Sequence, residues 1–183
     1  MAYTFQVKEK AVILTEAEIA KTLERLASEV IERECLDDLV LVGIKTRGVP
    51  LARRLASLIS EKKGVELPVG ELDITFYRDD LTLLAEAPIV KGTKIDFPIS
   101  GKTVLLVDDV LYTGRTVRAA IDELLDYGRF KALRLLVLVD RGLRELPICP
   151  DFVGKRVETR PGEVVEVRLK EVDGEDKVVL LEK

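Results

Sequence analysis

The chain has 183 residues, 47% hydrophobic and 34% charged, with a formal net charge of −4 at pH 7 and no histidine. That length permits one compact unit around a sizeable core, and a single domain over residues 1–183 is expected. With no histidine, and with Cys35 and Cys149 remote from other metal-type ligands, a zinc site and any Ser-His or Cys-His catalytic unit are excluded.

Two cysteines leave a disulfide open, with reduced thiols expected in the cytosol. No apolar run approaches the length of a membrane span, and residues 1–10 lack the layout of a signal peptide, so a cytoplasmic protein without membrane contact is expected. Net acidity means that any nucleic-acid contact needs a local basic face. The chain has no asparagine and one glutamine (Gln6) against abundant Glu, Arg and Leu, a bias seen in proteins built for high temperature.

Residues 11–14 read as a short strand. Thr15 and Glu18 then form a capping box, and Ile19, Leu23, Leu26 and Val30 lie at helical spacing behind it. Residues 39–44 are a buried strand ending in Lys45-Thr46-Arg47-Gly48. Pro50 sits near the start of the next helix, where its missing N–H does no harm, and that helix runs to about Lys62. Residues 69–77 alternate partially, as a strand does. Residues 78–99, interrupted by Pro88, Gly92 and Pro98, read as a long hairpin or lid.

Residues 103–108 form a third apolar strand that ends in Asp108 and Asp109. A short loop closes on Thr113-Gly114-Arg115-Thr116 and opens a helix marked by Val117, Ile121 and Leu124, with Gly128 as its stop. Residues 133–139 are a further buried strand ending in Asp140-Arg141-Gly142. Residues 164–169 and 177–181 are tail strands, with Asp173-Gly174 as a turn signal between them. Continuously apolar strands separated by helices are the pattern of an α/β protein whose parallel sheet is covered on both faces. Ligands of such sheets bind beyond the carboxyl ends of the strands, where the polar loops lie.

Asp108 and Asp109 repel each other unless a cation or hydroxyl groups meet them. They read either as an acidic turn that caps the next helix or as a site for ribose hydroxyls. The Thr-Gly-Arg-Thr that follows favours the second reading: glycine admits close approach, hydroxyls donate to phosphate oxygens, and a helix N-terminus favours the anion. The loop Lys45-Thr46-Arg47-Gly48 is either an ordinary solvated connection or a second anion site suited to pyrophosphate. Arg78-Asp79-Asp80 is either a charged loop tip or part of a flap that closes over the reaction.

The run at 104–116 resembles the phosphoribosyl pyrophosphate (PRPP) signature of the type I phosphoribosyltransferase family. Residues 42–48, 73–81, 107–118 and 139–148, in that order, are similar to the pyrimidine-operon regulators within that family. The resemblance covers the chain from about Lys10 onwards. It implies the type I fold: a parallel twisted sheet flanked by helices, with a small hood and a flexible hairpin loop. It also implies a uracil phosphoribosyltransferase that converts uracil and PRPP to UMP and pyrophosphate. The resemblance further implies that the same protein binds pyrimidine-operon leader mRNA under the control of UMP and UTP.

Carried over by position, Asp108 and Asp109 are the catalytic acids at the ribose hydroxyls. Asp108, Asp109, Val110, Leu111, Tyr112, Thr113, Gly114, Arg115 and Thr116 form the nucleotide-binding run, whose last five residues cradle the 5′-phosphate. Thr46 and Arg47 meet the pyrophosphate, whose charge is screened by Mg²⁺ that arrives with PRPP rather than on protein ligands. Arg141 lies near the base, Arg78, Asp79 and Asp80 belong to the flexible loop, and Arg25, Arg144 and Lys155 face RNA. Glu24, Ser28, Leu143 and Cys149 depart from the usual residues of the RNA face. A homodimer or homotetramer is implied. The alternatives are an attenuator that uses the nucleotide site only as a sensor, and a purine phosphoribosyltransferase. Purine members often carry an acid where this chain has Tyr112.

Overall fold

The computed structural model describes residues 7–75 and 92–182. Its centre is a five-stranded parallel sheet in the order β3-β2-β4-β5-β6, built from β2 (Leu39–Ile44), β3 (Val69–Leu72), β4 (Thr103–Leu111), β5 (Ala132–Asp140) and β6 (Phe152–Arg156). The apolar strands split by alternation into two faces. Leu41, Leu105 and Leu136 join one core with helices α1 (Glu16–Arg33) and α2 (Gly48–Lys63). Val42, Leu106 and Val137 join a second core with α3 (Arg115–Leu125). Two-sided coverage is therefore what makes these strands read as unbroken apolar runs.

The capping box expected at Thr15 is present. The Glu18 amide donates to Thr15 Oγ1 at 3.3 Å, and the Thr15 amide donates to the Glu18 carboxylate at 2.8 Å. All four stripe residues of α1 are buried. In α2, Pro50 occupies the first turn, and Gly64 closes the C-terminus at φ 66°.

Three expectations need correction. First, β4 does not stop at the acids. Asp108, Val110 and Leu111 remain paired with β5, so the strand carries both carboxylates within it. Second, the strand expected over 69–77 ends at Leu72, because Asp73 Oδ1 accepts from both the amide and the hydroxyl of Thr75 and turns the chain away. Third, residues 92–99 are not a free lid. Glu71 and Lys94 exchange two 2.8 Å backbone bonds, and Ile99 is buried in the α3-side core. The remainder of that expected hairpin, residues 78–91 with Arg78, Asp79 and Asp80, lies outside the described residues. Strand β6 was not anticipated, because Phe152-Val153-Gly154-Lys155-Arg156 carries no regular alternation.

A second, antiparallel sheet, β1-β8-β7, forms a hood from β1 (Lys8–Leu14), β7 (Glu163–Arg168) and β8 (Lys177–Glu182). The Asp173-Gly174 turn signal corresponds to a single helical turn, α4 (Lys170–Asp173), closed by Gly174 at φ 79°. Hood residues Leu14, Val167 and Val178 belong to the same core as α1 and α2, so hood and sheet share one apolar interior.

In the sheet order, the chain leaves β2 towards β3 on one side and returns to β4 on the other. The carboxyl ends of β2 and β4 therefore flank a crevice, the place where open parallel sheets bind ligands. Gly48 makes the two ends meet, since any Cβ there would drive into the carbonyl oxygen of Val107. Gly48→Ala is accordingly expected to cost about 1–3 kcal/mol of stability and to displace the 45–47 loop, read by thermal or denaturant melting.

Candidate active site

The crevice is a cleft of about 470 Å³. Its walls are Ile44, Lys45, Thr46 and Arg47 after β2, Asp73, Ile74 and Thr75 after β3, Asp108, Asp109 and Val110 of β4, and Thr116 in the first turn of α3. Six site residues expected from sequence thus meet in one place: Thr46, Arg47, Asp108, Asp109, Val110 and Thr116. Asp73, Ile74 and Thr75 join them without having been assigned a role. They belong to one of the stretches that carried the family resemblance.

Asp108 is 6% exposed. Burial, with the neighbouring charge of Asp109 added, pushes its carboxyl well above the usual carboxylate range. Its Oδ1 accepts the Asp109 amide at 2.9 Å, and Asp109 Oδ1 in turn accepts the Val110 amide at 2.8 Å. The pair therefore offers the cleft one acid that favours its neutral form beside a second, half-buried carboxylate.

The loop from Tyr112 to Gly114 is held from outside. Arg144 Nη1 donates to the Tyr112 carbonyl at 2.8 Å, and the Glu145 and Leu146 amides donate to the Thr113 carbonyl at 2.9 and 3.0 Å. A trans peptide sets N–H opposite C=O, so the amides of Thr113 and Gly114 point away from the 144–146 segment. Gly114, at φ 93°, takes the helix N-cap position, where it presents no side chain to the first-turn amides. Thr113 Oγ1 accepts the Arg115 amide at 3.3 Å, while Gly114 caps none of the amides that follow, an arrangement suited to receiving an anion. Arg115 turns outward to Glu145, Nε to carboxylate at 2.7 Å.

Tyr112 is exposed at 41%, with the Arg141 guanidinium 3.9 Å above its ring. Arg141 itself is buried and spends its donors on Thr159 Oγ1 (3.1 Å) and the Glu163 carbonyl (2.7 Å). Burial lowers its pKa, and the side chain does not line the cleft. Leu111 is buried in the α3-side core.

Arg47 reaches across the cleft wall to the hood, where its Nε and Nη2 pair with the two oxygens of Asp173 at 3.0 and 2.7 Å. That contact holds the Asp173 carboxyl below the usual range and raises Arg47. The residues expected to face RNA lie elsewhere. Arg25 pairs with Glu29 and donates to the Val153 and Gly154 carbonyls, next to Lys155 in β6, which donates to the Ile13 carbonyl. Arg144 is committed internally: besides Tyr112 it donates to Ile148 and to both oxygens of Asp140.

The phosphoribosyl transferase domain family matches residues 11–171, most of the chain, and the chain belongs to that family. Within it the chain is 58% identical to the bifunctional protein PyrR of Pelotomaculum thermopropionicum over 96% of its length and 97% of that protein's. Against the PyrR of Clostridioides difficile the figures are 53%, 95% and 99%, and against that of Thermus aquaticus 55%, 95% and 97%. These identities place it in the PyrR branch of the family. A hypoxanthine-guanine phosphoribosyltransferase of Bacillus anthracis superposes with a TM-score of 0.70 at 19% identity, covering 97% of this chain and 100% of that one, a likeness of fold. No described helix is long and apolar enough to cross a membrane.

A carboxyl whose folded pKa is raised destabilises the fold as pH climbs from its unfolded value towards the folded one, because ionisation is then resisted. Asp108→Asn removes that burden while keeping the oxygen that accepts the Asp109 amide. Its melting temperature is expected to exceed that of the wild type at pH 7, with a smaller gain at pH 4 where both side chains are neutral. Equal gains at the two pH values would contradict the assignment.

Proposed function

We propose that the cleft transfers a phosphoribosyl group from PRPP to uracil, giving UMP and pyrophosphate, and that the protein works in the cytoplasm. One observation carries this reading: an acid pair, an open helix start and a cationic loop line or border a single crevice at the sheet's switch point. Their spacing suits the three parts of PRPP. Asp108 and Asp109 take the ribose hydroxyls, the Thr113–Thr116 turn takes the 5′-phosphate, and Thr46 and Arg47 take the pyrophosphate.

Among the described residues no cluster of three or more Asp, Glu, Cys or His side chains forms a metal cage. The separate oxygen donors Asp73 and Asp109, beside Lys45 and Arg47, instead fit a polyanion that brings Mg²⁺ with it. Bound Mg²⁺ supplies charge screening of the pyrophosphate. The chain's own part is orientation and electrostatics. The acids and the helix start fix the ribose at both ends, so that C1′ faces the base, while the 45–47 loop stabilises charge on the departing group. Tyr112, in place of an acid, leaves no carboxylate to engage a purine ring, which favours a pyrimidine over hypoxanthine.

The second activity of the same reading is binding of pyrimidine-operon leader RNA in response to uridine nucleotides. Arg25 and Lys155, adjacent at β6, support it. Arg144, like Arg25 and Lys155, also donates to groups within the protein, here Tyr112, Ile148 and Asp140.

Incubation with PRPP, Mg²⁺ and uracil is expected to yield UMP, with uracil preferred over hypoxanthine. Asp109→Ala is expected to lower kcat/KM by about 100-fold or more without loss of the folded state. Failure to form UMP overturns the enzymatic reading. Leader RNA is expected to bind more tightly with UMP, and Lys155→Ala to weaken it and reduce the salt-dependence slope by about one. No binding at low salt removes the regulatory half.

A further inference from the structure

Arg47 stands at the cleft wall, yet its guanidinium is not aimed by anything in its own loop. Its side-on edge, Nε with one hydrogen of Nη2, is filled by the carboxylate of Asp173, 126 residues away in the hood. Asp173 is itself fixed. Its Oδ2 also accepts the Leu169 amide at 2.9 Å, which locks the carboxylate to the turn that carries it. That turn is fastened to α2 a second time, through Arg54, whose Nη1 and Nη2 reach Asp176 at 2.8 Å and whose Nε reaches Glu171 at 2.8 Å.

A guanidinium has two bidentate edges. Asp173 uses one of them. The other, Nη1 with the second hydrogen of Nη2, has no protein acceptor among the described residues. The guanidinium plane is therefore held while a complete two-pronged edge is left for an oxyanion. An arginine side chain free to rotate loses rotamer entropy when it is immobilised, and here the protein has met that cost in advance.

We infer that Asp173 is a positioning residue for the pyrophosphate half of the reaction, holding Arg47 so that its free edge receives the diphosphate of PRPP or free pyrophosphate. The inference deepens the phosphoribosyltransferase reading and rests on it. Asp173 touches no substrate. Its effect is confined to ligands that carry a diphosphate and does not extend to UMP, which has none.

The experiment compares full-length wild type, Asp173→Asn, Asp173→Glu and Glu171→Gln. The dissociation constants of Mg-pyrophosphate and of UMP are measured by calorimetry, and the KM for PRPP by kinetics. For Asp173→Asn, the pyrophosphate dissociation constant and the KM for PRPP are expected to rise about tenfold while UMP affinity holds within twofold. Asp173→Glu recovers part of the loss. Glu171→Gln, which loosens the neighbouring clip without touching Arg47, leaves pyrophosphate binding unchanged.

Three results overturn the inference: equal loss of UMP and pyrophosphate affinity, an effect of Glu171→Gln matching that of Asp173→Asn, or tighter pyrophosphate binding once the carboxylate is gone. Retained UMP binding certifies the folded state of each variant. Wild type that binds pyrophosphate and UMP but makes no UMP from uracil refutes the activity reading alone, and the comparison of binding constants still decides the role of Asp173.

Discussion

A carboxyl group brought into the interior on the central strand is the constraint around which the molecule is arranged. Asp108 sits in β4, flanked in sequence by Val107, which is fully buried, and paired with Val137 of β5. An acid in that setting resists ionisation, and no basic side chain among the described residues pairs with it. Such a residue destabilises a fold unless the surrounding apolar contacts over-determine the strand's position. Two separate cores, one on each face of β4, supply that excess. The cleft is therefore the point where local stability is surrendered to keep a polar group among apolar neighbours.

The cleft is assembled from short-range devices at the ends of strands and tied together by long-range arginines. Gly48 lets the end of β2 press against β4, and the Asx turn at Asp73 ends β3 where a longer strand would cover the opening. The outward carbonyls of Tyr112 and Thr113 are bound by the 144–146 segment, which turns their partner amides towards the ligand side. Arg144, Arg141 and Arg47 each connect segments distant in sequence. A planar donor with several hydrogens can satisfy a carbonyl, a carboxylate and a ring face at once, and lysine could not take over these positions.

What could be read from the residues follows the same division. The strands at 39–44 and 133–139 and the helix stripe Ile19, Leu23, Leu26, Val30 were legible because burial on a regular element leaves a periodic trace. The acid pair and Thr113-Gly114-Arg115-Thr116 were legible because their chemistry is local. Strand β6 was not, since an edge strand between Pro150 and a polar loop needs only one buried anchor, Phe152, and a single anchor has no period. The continuation of β4 through Asp108 and Asp109 was hidden because two acids look like the end of a strand unless the neighbouring β5 is known to continue beside them. The destinations of Arg47, Arg141 and Arg144 were invisible for a plainer reason: a long side chain's partner is set by tertiary approach. Arg144 resembled a free surface cation and instead ties Tyr112, Ile148 and Asp140 together.

The stacking of Tyr112 beneath Arg141 has a practical consequence. The chain has four tyrosines and no tryptophan, so its near-ultraviolet signal comes largely from phenol rings. One of those rings, Tyr112, opens the turn that leads into α3, with a guanidinium 3.9 Å from its face. Any rearrangement of that turn alters the ring's electrostatic surroundings, and with them its absorption and emission. The protein thus carries a built-in optical reporter of its own occupancy, with no label attached.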